Sequence, residues 1–116
     1  MAIQYSHRLD RTFHALGDES RRRILATISR KGRCSAGELV ALFDIAQPTV
    51  SKHLRALETA GLLTRHVSGR RHIFTLGGAR LKEAEGWLQR HLSFWENSLD
   101  QLAEFLNSSD PELGKK

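Results

Sequence analysis

The sequence is poor in the features that mark secreted, disulfide-bonded or membrane-embedded proteins. Its 116 residues include one cysteine, Cys34, which excludes an intramolecular disulfide and indicates a reducing compartment. Arg8, Asp10 and Arg11 stand where a signal peptide would need an apolar run. No stretch approaches the roughly 20 apolar residues of a membrane span, and there is no internal repeat or low-complexity tract. We therefore expect a soluble, cytoplasmic protein without a membrane partner.

Acidic residues are scarce over most of the chain, and this scarcity locates the positive charge. Residues 1–80 carry 14 Lys/Arg against 6 Asp/Glu, whereas residues 81–116 carry 4 against 7. The net charge of +5 therefore comes from the first part of the chain. Such localised positive charge is typical of nucleic-acid-binding proteins. A membrane surface is the competing partner, but no basic helix of the sequence also carries an exposed apolar face.

Residues 47–61, QPTVSKHLRALETAG, have the pattern of an amphipathic helix with a marked start and end. Pro48 suits a first helical turn, and Gly61 suits the left-handed position after the last turn. The side away from the apolar residues carries hydroxyl, amide and cationic groups, which fit a DNA major groove. The alternative is a surface helix with a solvated polar face. The apolar residues at helical spacing are Val50, Leu54, Leu57 and Leu62.

Shorter helices precede this one. An amphipathic helix is predicted over residues 5–16, and Asp18 can cap a second helix that runs to about residue 30. Ser35 and Glu38 form a complete capping box for a third helix, and Cys34 lies before it in a segment predicted to form a β-bridge. Residues 44–46 then turn the chain. A short helix, a tight turn and a polar-faced helix form the helix-turn-helix pattern, whose second helix enters the major groove.

Three arginines, Arg21, Arg22 and Arg23, crowd the first turn of the second helix, where they oppose the helix dipole. A nearby anion would relieve this cost, and a DNA phosphate and a partner carboxylate are both candidates. We expect Arg22 and Arg23 to hold phosphates, and we expect the same of Arg55 on the later helix.

After residue 61 the apolar period changes from that of a helix to that of a strand, which predicts a β-hairpin over residues 63–76. Basic hairpins that follow a recognition helix act as wings and reach phosphates or the minor groove. Exposed hairpins also use cations against edge pairing, but at this place we favour DNA contact. The basic residues predicted around the tip are Arg65, His66, Arg70, Arg71 and His72.

A long last helix is predicted over about residues 79–106, with its leucines and tryptophans in heptads. This apolar stripe is wider than so small a domain can cover, which favours a homodimer formed by this helix with the first helix alongside. Residues 107–116 are predicted to be a flexible tail. The expected interface residues are Leu9, Phe13, Leu88, Leu92, Trp95, Leu99 and Leu102.

The strings DESRRRIL, GELVALFDIAQPTVSKHLRALETAGLL and GRRHIFTL resemble the ArsR-type winged helix-turn-helix transcriptional regulators, over roughly residues 8–76. The resemblance implies a mainly α fold with a small β-hairpin, in the order α-α-α-α-β-β-α, as a single domain over residues 1–106. It also implies a homodimer that binds pseudo-palindromic operators in double-stranded DNA and usually represses transcription. The DNA contacts that it implies are Gln47, Pro48, Thr49, Ser51, Lys52, His53, Arg70 and Arg71.

Two positions in the turn depart from the family pattern. Asp44 stands where a glycine is usual, and aspartate tolerates the left-handed conformation better than most residues. Ala46 replaces a serine cap, at a cost of about 1 kcal/mol. We expect the turn to form despite both changes.

The chain lacks the residues that metal-sensing members of the family use. There is no Cys-x-Cys pair before the recognition helix, and His91 is followed by Phe94 where an acid would stand. We therefore expect no metal and no cofactor, as in the subgroup with a Phe-Trp pair on the last helix. The alternatives are a zinc site from His7, His14 and His91 across a dimer, a redox role for Cys34, and an unidentified small-molecule effector.

Three classes of function remain, and the first is favoured: a sequence-specific, nucleoid-associated regulator. The second is a winged-helix interaction or architectural module without operator specificity, which would be expected to carry apolar residues on the face between Gln47 and Arg55. The third, an enzyme, is disfavoured because none of the six histidines pairs with a nucleophile or acid in a motif, and there is no Gly-rich phosphate loop.

Overall fold

A computed structural model describes residues 2–109, with side chains described over residues 5–108. The described chain is mainly helical with one small antiparallel sheet, as predicted, and the two compact units into which it divides meet between Ala84 and Glu85. The elements are α1 (Ala2–Leu16), α2 (Glu19–Lys31), β1 (Cys34–Ser35), α3 (Ala36–Val40), α4 (Gln47–Thr59), β2 (Leu63–Ser68), β3 (Arg71–Leu76) and α5 (Gly78–Ser109).

The predicted helix caps are present. The Asp18 carboxylate accepts a hydrogen bond from the Arg21 amide at 3.0 Å and so caps α2. At the start of α3 the Ser35 hydroxyl accepts from the Glu38 amide at 3.1 Å, and the Glu38 carboxylate accepts from the Ser35 amide at 3.0 Å. These bonds occupy backbone donors that the first helical turn leaves unpaired, and they fix where each helix begins.

The turn between α3 and α4 differs from the expectation in its backbone. The helix ends at Val40, and the chain reaches Gln47 without a left-handed residue, since no described residue other than glycine has a positive φ. Asp44 therefore does not use the left-handed conformation that the family's glycine suggested. Ala46 provides no side-chain cap, as predicted, but its carbonyl accepts from the Thr49 amide at 3.0 Å.

Helix α4 ends where the sequence predicted. Gly61 has a φ of 78°, and the Leu62 amide donates to the Leu57 carbonyl at 2.9 Å. This left-handed glycine reverses the chain and directs it into β2.

The three strands are ordered β1-β3-β2, and both pairings are antiparallel. Strands β2 and β3 form the predicted hairpin, with Ser68 opposite Arg71 and a two-residue turn that begins with Gly69 at a φ of 61°. Strand β1 extends the predicted bridge to two residue pairs, one of which places Cys34 opposite Phe74.

The core of the first unit joins the helix-turn-helix to the sheet. Its fully buried side chains come from α1, α2, β1, α3, α4, β3 and the turn after α4, so α4 rests on a continuous apolar base. The largest of these side chains are Phe74, Ile24, Ile28, Leu39, Leu57, Leu62 and Val50.

In the second unit α5 leaves large apolar side chains in solvent. Trp95 is 55% exposed and Leu99 is 64% exposed. The helix also continues through residues 107–109, which the sequence assigned to a flexible tail; the rest of that tail lies outside the described residues. The other expected interface residues of α5 that are exposed are Leu88, Leu92 and Leu102.

The first helix contributes less free surface than expected. Leu9 is only 8% exposed within its own chain, and Phe13 is half-buried. We therefore do not carry Leu9 into the proposed subunit interface.

Candidate nucleic-acid interface

Helix α4 presents a polar side to solvent because its apolar side is held in the core. Val50, Leu54 and Leu57 are buried, and residues 47–49 are exposed at the start of the helix. The exposed side chains that the sequence assigned to DNA contact are Gln47, Pro48, Thr49, Ser51, Lys52 and Arg55.

His53 lies apart from this exposed row. Its side chain is 14% exposed, and its Nδ1 accepts a hydrogen bond from Nε of Arg21 at 3.2 Å. The Asp18 carboxylate lies 3.8 Å from the same nitrogen. The Arg21 amide donates a hydrogen bond to this carboxylate, and that bond holds the pKa of Asp18 below its ordinary value. His53 thus connects α4 to the start of α2, which the sequence did not reveal because the contact depends on how the two helices pack.

Arg22 and Arg23 are exposed, but each already contacts its own chain. The Arg22 guanidinium donates to the Leu16 carbonyl at 2.7 Å. The Arg23 guanidinium lies over the Phe43 ring, 5.1 Å from its centroid.

The hairpin carries two exposed arginines at its tip and one anchored arginine nearer its base. Arg70 lies in the two-residue turn and Arg71 begins β3. Arg65 instead forms an ion pair with Glu58 of α4 at 2.6 Å, with its guanidinium 5.1 Å from the centroid of the Phe74 ring. The sequence placed Arg65 with the tip residues, whereas the structure uses it to join the hairpin to α4.

A polar groove of about 540 Å³ lies beside the hairpin, and sequence analysis did not identify it. Lys31, Arg33 and Arg71 line it together with one carboxylate, that of Glu38, which pairs with Lys31 at 3.2 Å. The pairing of β1 with β3 brings Arg33 close to the wing, and a two-residue strand gives too short a pattern to predict this. Lys31 and Arg33 thereby extend the cationic surface around the wing.

The described residues hold no group of three or more His, Cys, Asp or Glu side chains arranged to bind a metal ion. The thiol of Cys34 is buried, and this burial raises its pKa. No helix of the described chain combines the length and apolar character that a membrane crossing requires.

A helix-turn-helix whose apolar side is buried in the core, followed by a basic hairpin, defines a winged helix-turn-helix protein. The helix-turn-helix domain family matches residues 16–66. The HTH-type transcriptional regulator Rv2034 of Mycobacterium tuberculosis is 32% identical over 99 residues, which cover 85% of this chain and 89% of that protein. The transcriptional repressor SdpR of Bacillus subtilis is 28% identical over 91 residues, which cover 78% of this chain and 100% of that protein.

A solved structure points to the same class of protein. The ArsR family transcriptional regulator RHA00566 has a TM-score of 0.73 to this chain at 33% identity, covering 78% of this chain and 93% of that one. The chain therefore belongs to the ArsR family of winged helix-turn-helix transcriptional regulators. This family and fold are those of DNA-binding regulators rather than of enzymes.

Proposed function

We propose that this chain is a homodimeric transcriptional repressor that binds a pseudo-palindromic operator in double-stranded DNA. The observation that carries the proposal is the exposed polar row of α4 over a fully buried apolar side. An interaction module would need several apolar groups on this row, which instead presents an amide, two hydroxyls, two cations and one proline ring.

In the proposed complex, the α4 helices of two protomers enter successive major grooves about 34 Å apart. Gln47, Thr49 and Ser51 contact base edges, and the Gln47 amide has the donor and acceptor pair that adenine requires. Lys52 and Arg55 lie on the same exposed side and contact phosphates. His53 contributes indirectly, because its contact with Arg21 holds α4 against α2.

The phosphate contacts continue onto the wing. Arg70 and Arg71 at the tip, with Lys31 and Arg33 in the groove beside it, reach the backbone next to the bases under α4. Arg22 and Arg23 are exposed, so they can add phosphate contacts if they leave their present partners.

The homodimer is proposed from the exposed apolar row of α5. Five large side chains at heptad spacing are each about half exposed or more: Leu88, Leu92, Trp95, Leu99 and Leu102. An apolar surface of this extent on one helix is typical of a subunit interface, and a two-fold axis would place two α4 helices on one side of the DNA.

The test is fluorescence anisotropy of the full chain on labelled DNA at two salt concentrations. One probe is the upstream region of its own gene, and the other is random genomic DNA of equal length. Tight, salt-sensitive binding that favours the upstream fragment supports a sequence-specific regulator that controls transcription of its own gene. Equal, weak binding to both places the operator elsewhere in the genome. No binding at low salt would remove the proposal and favour the interaction module.

A further inference from the structure

The first unit contains a groove that the proposed DNA contacts leave unused. It lies between α1 and the C-terminal half of α4 and has a volume of about 580 Å³. Ala15, Ala56, Thr59 and Ala60 line one part of it, and of these Ala15 and Ala60 are buried. This surface is mostly apolar, and the volume lies within the range of about 300–1,000 Å³ typical of small-molecule sites.

The mouth of the groove favours an anion. Arg11, His14 and Arg21 line it, opposed by one carboxylate from Asp10. Among the described side chains, Arg11 has no ionic partner. The Arg21 guanidinium donates through Nε to the ring of His53, and it also interacts electrostatically with the Asp18 carboxylate, which accepts from the Arg21 amide. Two guanidinium groups above an apolar surface match a carboxylate joined to an apolar body, since the arginine fork can bind a carboxylate through two hydrogen bonds.

We propose that this groove binds an organic acid with a compact apolar body, which acts as an effector. The carboxylate pairs with Arg11 and Arg21, and the body covers the small side chains of α1 and α4. Binding itself does not depend on the proposed DNA interaction, so it is measured on the protein alone.

The groove is also coupled to the recognition helix. Ala56, Thr59 and Ala60 belong to α4, and Arg21 at the mouth contacts His53 one turn before Ala56. A carboxylate that draws Arg21 away removes its hydrogen bond to His53 and leaves only the Asp18 carboxylate, 3.8 Å from that ring, at the start of α2. The bound acid therefore lowers the affinity for DNA. This second consequence rests on the proposed function.

The binding test is NMR of the full chain carrying ¹³C-labelled alanine methyl groups. The probe is 4-phenylbutyrate, and 4-phenylbutanol is its neutral counterpart with the same apolar body. The methyl signals of Ala15, Ala56 and Ala60 report the groove, and that of Ala103 reports the exposed part of α5. We expect saturable shifts at the three groove methyls with the acid, and at least tenfold weaker binding of the alcohol.

Substitutions locate the site. Arg11→Gln and Arg21→Gln are each expected to weaken binding of 4-phenylbutyrate about tenfold. Arg30→Gln, which removes an exposed α2 arginine outside the groove, should leave it unchanged. Ala56→Leu should abolish binding by filling the groove, while the remaining methyl signals show that the variant is folded.

Three results would overturn the site. The first is no shift at the groove methyls, or equal binding of acid and alcohol. The second is a shift confined to Ala103, which would place the probe on α5. The third is groove signals that move with protein concentration and not with the probe, which would show that a second copy of the chain fills the groove.

The coupling is tested separately, by adding 4-phenylbutyrate to the complex with the fragment bound in the anisotropy assay. Release of the DNA by the wild-type chain, lost in Arg11→Gln, supports the effector role. Saturated groove methyls with unchanged DNA affinity would overturn that role. A protein that binds the acid but no DNA would refute the proposed function and leave the binding site standing.

Discussion

Gly77 lies where the chain after the wing passes close to the end of α4. Its amide donates to the Leu62 carbonyl at 2.8 Å, and a Cβ at this position would collide with the backbone carbonyl of Gly61. A Cβ added at the neighbouring Gly78 would meet no atom within 4 Å apart from its chain neighbours and the backbone of its own helix. In the sequence the two glycines are equivalent signals that end a strand, and only the packing distinguishes them.

Gly77→Ala is expected to lower the free energy of unfolding by about 1–3 kcal/mol, because the added methyl group must displace backbone. Gly78→Ala is the matched control. It should change stability by less than about 1 kcal/mol, in the stabilising direction, since alanine restricts the unfolded chain. Urea denaturation followed by circular dichroism measures both. Equal effects of the two substitutions would show that the close approach to Gly61 is not rigid.

Glu38 is a residue whose role depends on pH. The hydrogen bond from the Ser35 amide, aided by the Lys31 ammonium, lowers the pKa of its carboxyl from the ordinary 4.5 to about 2. Because the folded pKa is the lower one, this contribution to stability is present above pH 4.5 and is lost as the pH falls towards 2.

Glu38→Gln should therefore destabilise the protein at neutral pH, by an amount that shrinks as the pH falls through this range. The measurement is the difference in unfolding free energy between wild type and variant at pH 6, 4 and 3. A difference that stays constant would show that the carboxylate form of Glu38 is not what stabilises the start of α3.

At the scale of elements, the local signals in the sequence predicted α4 well. The spacing of Val50, Leu54 and Leu57 predicted which side of the helix is buried, and Gly61 predicted where the helix ends. The position of His53 could not be predicted, because its partner Arg21 is 32 residues away and meets it only through helix packing. The pairing of β1 with β3 was likewise set by contacts across the fold rather than by a local pattern.

Gln47→Ala tests whether α4 distinguishes sequences. Loss of the amide should cost about 1–3 kcal/mol for each half-site of the specific fragment and relax the preference at one base position in each half-site. The measurement is anisotropy titration of the upstream fragment and of a set with single base changes. An equal loss on specific and random DNA would show that Gln47 does not contact a base.

Arg70→Ala tests the wing as a phosphate-binding element. Binding to all sequences should weaken alike, and the slope of log affinity against log salt should fall by about 2 in magnitude, because each dimer loses two phosphate contacts. The same titrations at four salt concentrations give the slope. If the variant loses affinity only for the specific fragment, the wing recognises bases rather than phosphates.

For the whole molecule, the proposed homodimer depends on the exposed side of α5. Leu99→Asp puts a charge into the proposed apolar interface and should convert the dimer to a monomer with weaker binding to a full operator. Ser93→Asp, on the polar side of the same helix, is the charge-matched control and should stay dimeric. Light scattering after size-exclusion chromatography gives both masses. A dimeric Leu99→Asp variant would exclude this part of α5 from the interface.

The anchoring of Arg65 to Glu58 and over Phe74 fixes the hairpin to the far end of α4. The recognition helix and the wing are then held at one fixed separation. In the proposed complex, the protein therefore sets the distance along the duplex between the bases that α4 contacts and the phosphates that the wing contacts. Half-sites can then differ in composition but not in length, and an inserted base pair within one would be tolerated less well than a substitution.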